Sequence, residues 1–312
     1  MIGSGNLFTP MRRLEIKVRE IEGYLEEKAK TVEHHLAAYL KDIPGTLGES
    51  MNYSLLAGGK RLRPILVLAA ADALGGSEEA ALPFACAIEM IHTYSLIHDD
   101  LPAMDDDDFR RGSLTNHKVY GEAMAILAGD ALLTKAFGVM AEGALNTGLD
   151  GKAALRLIQE CAARVGAEGM VGGQVKDIEA EGRAVSLKEL QDIHRSKTGD
   201  LITFSVRAGA IVAGACAKEL EALTGYAERL GLAFQIGDDV LNVIGDRDKM
   251  GKPVGSDVEK KKSTYAALQG LDVSKKQVRT LVEEAKNLVS SVEGIRPDYL
   301  LGIADYLLDR ER

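Results

Sequence analysis

Six carboxylates crowd into ten residues about one third of the way along this sequence. Asp99 and Asp100 follow an apolar segment, and the run 105–108 is entirely aspartate. Crowded like charges repel one another unless cations neutralise them, and clustered oxygen ligands suit Mg²⁺ or Mn²⁺ rather than zinc. Because Pro102 interrupts helical hydrogen bonding, a local distortion could bring Asp99 and Asp105 to one cleft. A solvent-exposed acidic loop is the alternative interpretation.

A second acidic pair lies in the segment 234–245, among apolar residues. Its polar members are spaced to share one face of a helix: Gln235, Asp238, Asp239 and Asn242. Unpaired carboxylates in an apolar interior are costly, so shared cations explain two acidic clusters better than two unrelated surface features do. A surface helix with a capping pair is the alternative for this segment taken alone.

Short basic groups supply the opposite charge. They are GGKRLRP at 58–64, RRG at 110–112, KTG at 197–199, and two separate lysines, Lys252 and Lys262. Arginine forks and lysine charges suit a diphosphate, and neighbouring glycines let backbone amides approach it. His92 lies seven residues before Asp99, almost in register on the same helical face, and could donate to a phosphate oxygen. A structural histidine is the equally open alternative.

Apolar residues recur at intervals of three and four, which predicts an all-α protein without a convincing strand. The predicted helices are 10–40, 46–57, 63–74, 79–100, 118–143, 151–170, 186–212, 217–245, 263–269, 274–293 and 297–309. Because no repeat or Pro/Ser-rich linker divides the chain, one domain over 1–312 is favoured. The segment 245–262 lacks helical periodicity and is predicted to be a functional, mobile loop.

Composition narrows the class of protein. The chain has 312 residues and a formal charge of −9, which argues against non-specific binding to nucleic acid or anionic membranes. Cys86, Cys161 and Cys216 are widely spaced among small residues, which is typical of reduced thiols in a cytosolic protein. No signal-peptide pattern is evident, and the longest uncharged apolar run, 208–217, is about half of a bilayer span. A cytoplasmic protein without integral membrane association is therefore expected.

These motifs together resemble the trans-isoprenyl diphosphate synthase family, most closely its bacterial farnesyl diphosphate synthase branch. The matching segments occur in the family's order: GGKRLRP at 58–64, the segment 92–112, GGQ at 172–174, KTG at 197–199, FQIGDDVLN at 234–242 and KKSTY at 261–265. The resemblance implies the isoprenoid synthase fold, a barrel of about ten core helices around a central cavity, in a homodimer. It also implies a Mg²⁺-dependent condensation of isopentenyl diphosphate with dimethylallyl and geranyl diphosphates to give farnesyl diphosphate.

The resemblance assigns roles to individual positions. Three Mg²⁺ ions, or Mn²⁺ in their place, would be held by two motifs, comprising Asp99, Asp100 and Asp105 in the first and Asp238, Asp239 and Asn242 in the second. The allylic diphosphate would be bound by Arg110, Lys197 and Lys252, and isopentenyl diphosphate by Lys60, Arg63, His92 and Arg111. Thr198 and Gln235 would border the reacting carbons, and Lys262 would join the closed loop.

Three positions bear on the product. The family commonly has aspartate at the last position of its second motif, where this chain has Asn242, as some geranylgeranyl-forming members do. Product length in the family depends on bulk just before the first motif, here Tyr94 and Ser95, and an aromatic residue there resembles fifteen-carbon producers. A geranylgeranyl diphosphate synthase and a non-catalytic partner subunit are the alternatives; a terpene cyclase would not need the second basic group.

Overall fold

The structure, a computed structural model, describes residues 9–244 and 263–309, with side chains from 20 to 244 and from 263 to 308. Its helices are α1 (Thr9–Leu40), α2 (Gly45–Leu55), α3 (Leu62–Ala73), α4 (Glu78–Asp99), α5 (Asn116–Tyr120), α6 (Glu122–Asn146), α7 (Gly151–Val165), α8 (Met170–Ala180), α9 (Leu187–His194), α10 (Asp200–Val212), α11 (Ala217–Ile244), α12 (Tyr265–Gln269), α13 (Leu271–Ser290) and α14 (Asp298–Asp309). Strands β1 (Phe109–Arg110) and β2 (Ser113–Leu114) form a short antiparallel ribbon.

Helices α3 and α4 form the centre of the described fold. Residues 64–71 of α3 are buried without interruption, which is typical of a helix surrounded by neighbours. Helix α4 packs against α3, α6 and α10, and α11 packs against α10 and α13. Glycine permits the closest of these contacts: a Cβ atom at Gly143 of α6 would lie 2.3 Å from the Cβ atom of Pro83 in α4. The core is therefore continuous beneath the ends of α4 and α11, which carry the acidic motifs.

Two helices, α4 and α6, are long and apolar enough to cross a membrane by length and composition alone. In α4, 78% of the most apolar stretch is buried inside the fold, whereas in α6 only 39% is buried. Both segments were predicted as helices, but the sequence analysis counted only uncharged runs. It therefore missed their membrane-spanning length, because each contains isolated charges, such as Glu89 in α4. Burial makes α4 a core helix, while α6 presents part of its apolar surface to the outside.

The all-α prediction is confirmed, with three local corrections. Helix α8 was missed because the glycines of 166–173 hide its periodicity. The predicted helix 118–143 is in fact α5 and α6, divided at Gly121, whose φ is +85°. The ribbon was also missed, because it has two residues per strand, joined by Arg111 and Gly112 with φ values of +54° and +80°, a pairing typical of a type I′ hairpin.

Candidate active site

The first acidic motif begins where α4 ends. Helix α4 ends at Asp99, and beyond it the chain turns back on itself, with the amide of Leu101 donating to the carbonyl oxygen of His98. The amide of Asp105 then donates to the carbonyl oxygen of Asp99 at 2.8 Å. The backbones of Asp99 and Asp105 therefore lie side by side, as the argument from Pro102 predicts. Their joint binding of a metal ion stays a prediction.

Asp100 has a different environment from its neighbour. Only 3% of Asp100 is exposed, and both of its carboxylate oxygens accept from Arg110, at 2.5 to 2.8 Å. Hydrogen bonds from one guanidinium to both oxygens of a carboxylate fix the geometry of the pair and are stronger than hydrogen bonds between neutral groups. Asp107 lies 3.7 Å from the same guanidinium. Asp100 therefore orients Arg110 toward the end of α4, in addition to any part it has in metal binding.

Backbone conformation explains the glycines of the GGKR turn. Gly58 and Gly59 have φ values of +79° and +123°, which glycine adopts readily and other residues adopt at a cost. A Cβ atom at Gly59 would lie 2.6 Å from the guanidinium carbon of Arg111, whose Nη1 donates to the carbonyl oxygen of Gly58. The turn thus holds Arg111, from the ribbon, against the segment that carries Lys60, which is itself exposed.

Arg61, within this turn, serves the fold. Its side chain is buried and donates to the carboxylates of Glu33 and Glu89, at 3.1 and 2.6 Å, and to the carbonyl oxygen of Leu55 at 2.8 Å. A buried arginine needs such complete pairing. The sequence analysis assigned Arg61 no role and did not predict its partners, because they are remote in sequence. Its interactions fix the start of α3, from which Arg63 projects.

Arg63 and His92 form a basic pair between α3 and α4. Nη1 of Arg63 donates to Nε2 of His92 at 3.3 Å, so the ring proton of His92 is on Nδ1. Burial, followed by the charges of Arg63, Arg111, Arg110 and Arg61, holds the pKa of His92 well below its usual range. Nε of Arg63 is buried without a hydrogen-bond partner among the described residues. Such an unsatisfied donor in a cationic cluster suits an anionic ligand.

The charge of the second acidic motif acts on Arg63. Burial lowers the pKa of Arg63, and the negative charges of Glu89 and Asp238 oppose that shift. Asp238 is half-buried on α11, more than 170 residues further along the chain than Arg63. Tertiary folding therefore brings a carboxylate of the second motif within electrostatic range of the first basic group.

A single π-helical turn, Arg195–Gly199, carries the KTG motif between α9 and α10. Two glycines of other helices lie against it: a Cβ atom at Gly173 would be 2.3 Å from the amide nitrogen of Lys197, and one at Gly231 would be 3.0 Å from the Cα atom of Gly199. Turns of this kind are frequent at functional sites. The contact explains why the sequence has glycine in the GGQ motif of α8.

The π turn directs Lys197 and Thr198 toward two other helices. Nζ of Lys197 donates to Oδ2 of Asp177 on α8 at 2.7 Å. Oγ1 of Thr198 donates to Oε1 of Gln235 on α11 at 2.9 Å. Thr198 and Gln235, which the sequence analysis placed together at the reacting carbons, are thus in direct contact.

Asp239 and Asn242 are buried, whereas Asp238 is not. Oδ2 of Asp239 accepts from the amide of Tyr265 at 2.7 Å, and Oδ1 accepts from Nε2 of Gln235 at 3.4 Å. Nε2 of His194 lies 3.7 Å from the same carboxylate, and burial lowers the pKa of His194 to about 4, so this ring is neutral at pH 7. The predicted polar face of α11 is present, and Asp239 and Asn242 are its buried members.

The remaining candidates lie beside these groups or outside the described residues. Tyr94 is buried with its ring edge-on to His98 at a centroid distance of 5.8 Å, and burial raises its pKa to about 12. Ser95 is half-buried, and its hydroxyl donates to the carbonyl oxygen of His92 at 2.9 Å. Lys252 and Lys262 lie outside the described residues.

Sequence reasoning missed Asp177, the partner of Lys197. A signal was present, since Asp177 lies three residues after Gln174 and so shares a helical face with the GGQ motif. Oε1 of Gln174 is buried without a hydrogen-bond partner in the part of the chain that the structure describes. Both residues therefore belong to the candidate site.

The donors present fit Mg²⁺. Among residues with described side chains, no three acidic, histidine or cysteine side chains already form a metal-binding cluster. A magnesium ion does not require one, because it keeps several waters and is usually held by one or two carboxylates together with substrate phosphates. Asp99, Asp105 and Asp238 provide such oxygens on the elements that meet the arginine cluster.

Comparison with known proteins identifies the family. The sequence profile of the polyprenyl synthetase family matches residues 44–296. Farnesyl diphosphate synthase from Bacillus subtilis (strain 168) is 47% identical over 294 residues, covering 94% of this chain and 99% of that protein. Geranylgeranyl diphosphate synthase from Cyanophora paradoxa is 46% identical over 289 residues, covering 92% and 95%.

A solved structure agrees with the sequence relatives. The crystal structure of an FPP/GFPP synthase from Zymomonas mobilis matches the fold with a TM-score of 0.82 at 36% identity, covering 93% of this chain and 99% of that one. The resemblance found in the motifs is thus confirmed. Since the family profile covers far more than half of the sequence and the relatives align over nearly all of it, the chain belongs to the polyprenyl synthetase family and has its all-α isoprenoid synthase fold.

Proposed function

We propose that the chain is a Mg²⁺-dependent trans-prenyltransferase that condenses isopentenyl diphosphate with dimethylallyl and geranyl diphosphates to give farnesyl diphosphate. One observation carries the proposal: two groups of cationic side chains on different elements lie beside the acidic motifs. The first contains Arg63 and Arg111, and the second contains Lys197. A single diphosphate does not require two such groups, whereas the joining of two diphosphates does.

In the proposed reaction, Asp99, Asp105 and Asp238 would hold Mg²⁺, which would neutralise negative charge on the leaving diphosphate. The proposal includes three Mg²⁺ ions in total, for which Mn²⁺ could substitute. Arg110, oriented by Asp100, and Lys197, held by Asp177, bind the same allylic diphosphate and favour cleavage of its C1–O bond. Both cations are fixed before substrate arrives, so little reorganisation accompanies the step.

The second substrate binds at the arginine cluster. Arg63 and Arg111 contact the diphosphate of isopentenyl diphosphate, and neutral His92 donates through its Nδ1 proton. The double bond of this substrate attacks C1 of the allylic cation to form the new C–C bond, which leaves a cation on the isopentenyl unit. Loss of a proton from an adjacent carbon to the released diphosphate then forms the new double bond. Thr198 and Gln235 border the reacting carbons and keep water away from the cation. Lys60, Lys252 and Lys262 complete the cationic surroundings in this proposal.

Farnesyl diphosphate is the proposed product because Tyr94, a large buried side chain, precedes the first motif by five residues and would limit the cavity. Ser95, one position on, is small and leaves Tyr94 as the limiting residue. Geranylgeranyl diphosphate is the second candidate, supported by Asn242 in the second motif and by the relative from Cyanophora paradoxa that carries this name. Product size decides between them.

We further propose a homodimer of single-domain chains spanning 1–312, located in the cytoplasm. The support for a second copy is the partly exposed apolar surface of α6, where Ile126 and Leu127 are 44% and 54% exposed. Exposed apolar surface of this kind marks protein contacts. Cys86 and Cys161 are buried and unpaired, which agrees with a reducing compartment.

The experiment combines activity with a matched pair of variants. Purified protein is incubated with isopentenyl diphosphate and each allylic diphosphate, with and without Mg²⁺, and the dephosphorylated products are sized by chromatography. A Mg²⁺-dependent fifteen-carbon product is expected. Asp105→Asn should lower turnover at least a hundredfold, whereas Asp108→Asn should not, because Asp108 is exposed and paired with Lys118. Absence of coupling with every allylic substrate would overturn the proposal in favour of a non-catalytic subunit.

A further inference from the structure

Three helices meet at one buried carboxylate. Asp239 on α11 is 4% exposed, and its Oδ2 atom accepts from the amide of Tyr265, on α12, at 2.7 Å. Its Oδ1 atom accepts from Nε2 of Gln235 at 3.4 Å, and Oε1 of Gln235 in turn accepts from the hydroxyl of Thr198, on the π turn, at 2.9 Å. Tyr265 is itself buried, and Nε2 of Gln191 on α9 approaches its hydroxyl at 3.5 Å.

The contact with Tyr265 satisfies a backbone group that nothing else in α12 could. Tyr265 is the first residue of α12, and the first amides of a helix have no intrahelical acceptor. The side chain of Thr264 caps the amide of Ala267, two positions further on. Asp239 accepts from the first amide, so two side chains together fix the start of a helix that has only five residues.

We infer that Asp239 is a positioning residue, which anchors the start of α12 and orients Gln235 and Thr198 beside the reacting carbons. This inference rests on the proposed function only for what Gln235 and Thr198 do. It assigns Asp239 a task different from that of Asp238, its neighbour in the acidic motif. The negative charge of Asp238 acts on Arg63 in the arginine cluster. Both oxygens of Asp239 accept hydrogen bonds from protein groups.

Asparagine at this position can satisfy the same contacts without charge. Its Oδ1 atom can accept from the amide of Tyr265, and its Nδ2 atom can donate to Gln235 once the amide of Gln235 turns over. The hydroxyl of Thr198 then accepts from Gln235 instead of donating, which a hydroxyl group permits. If Asp239 were instead a ligand of Mg²⁺, replacement by asparagine would weaken metal binding, because the negative charge would be lost. Alanine removes the contacts altogether.

The first readout is local and independent of activity. Exchange of the Tyr265 amide is followed by NMR of protein labelled with ¹⁵N-tyrosine, with the resonance assigned from Tyr265→Phe. We expect Asp239→Ala to accelerate this exchange at least tenfold and Asp239→Asn to change it less than threefold, with the other tyrosine amides unaffected in both. Unchanged exchange in Asp239→Ala overturns the anchoring, whether or not the protein is active.

The second readout separates positioning from metal binding. For each variant, kcat is measured against Mg²⁺ concentration, with Asp238→Asn as the matched control. Asp239→Ala should lower kcat at least tenfold, Asp239→Asn should recover it to within threefold of the native value, and the Mg²⁺ concentration at half-maximal rate should stay within twofold for Asp239→Asn. Asp238→Asn should raise that concentration at least tenfold.

The outcomes are distinct. A tenfold higher Mg²⁺ requirement in Asp239→Asn makes Asp239 a metal ligand and overturns the inference. If the native protein forms no product, the proposed function fails, and the exchange measurement alone decides the anchoring. If Asp239→Ala does not fold, Asp239→Asn still decides, because faster exchange of the Tyr265 amide in that variant contradicts the inference.

Discussion

Replacement of Gly59 by alanine tests how the GGKR turn holds Arg111. The new Cβ atom would lie 2.6 Å from the guanidinium carbon, so the end of the Arg111 side chain must move and leave the carbonyl oxygen of Gly58. A hydrogen bond to a charged group contributes about 1.5 to 3 kcal/mol. Since about 1.4 kcal/mol corresponds to a tenfold change in affinity, loss of this orientation should raise the KM for isopentenyl diphosphate about ten- to a hundredfold.

Gly58→Ala is the matched control, because Gly58 also has positive φ but a Cβ atom there would meet no atom within 4 Å. Both variants carry backbone strain of roughly 1 to 2 kcal/mol, so thermal unfolding should reveal destabilisation in each. Steady-state kinetics, with one substrate varied at a time, then separates the effect of backbone strain, which both variants share, from the effect of displacing Arg111, which only Gly59→Ala causes. We expect Gly58→Ala to leave the KM for isopentenyl diphosphate within threefold. Equal KM values for the two variants, or a rise in Gly59→Ala that affects both substrates alike, would refute the reasoning.

Four further substitutions test other parts of the molecule. Asp99→Ala and Asp238→Ala should each lower turnover by orders of magnitude while circular dichroism keeps its helical signal; native turnover would remove that residue from the metal site. Tyr94→Ala should shift the product to longer chains in chromatographic sizing, and an unchanged product would reject Tyr94 as the limiting residue. Glu160→Gln should lower the free energy of unfolding at pH 7 by about 1 to 3 kcal/mol, because Arg207 and Arg164 bind this carboxylate and hold its pKa below its ordinary value despite partial burial. Native and variant should converge in denaturant titrations as the pH falls below that value, since the stabilising charge is lost as the native carboxylate takes up a proton; a constant difference down to pH 3 would contradict this.

Local sequence chemistry identified much of the candidate site. Aspartates crowded beside Pro102 predict both an oxygen-rich metal site and a break in helix α4, and the backbone bond from Asp105 to Asp99 agrees with that break. The spacing of Gln235 and Asp239 predicts a shared helical face, and the two side chains are in contact. These features could be predicted because they depend on residues fewer than eight positions apart, where helical geometry is regular.

Long-range packing decided what each charged side chain does. Arg61 and Arg63 are two residues apart in one motif, but only the structure shows that Arg61 is paired with Glu89 inside the fold while Arg63 keeps an unsatisfied donor. Asp177 becomes the partner of Lys197 only because Gly173 lets α8 approach the π turn. Charge and residue type are properties of the sequence, whereas burial and the choice of partner depend on contacts between helices far apart in the chain. The sequence therefore determined which groups are available for the proposed binding of two diphosphates and Mg²⁺, and the tertiary structure decided which of those groups are paired inside the fold and which keep an unsatisfied donor.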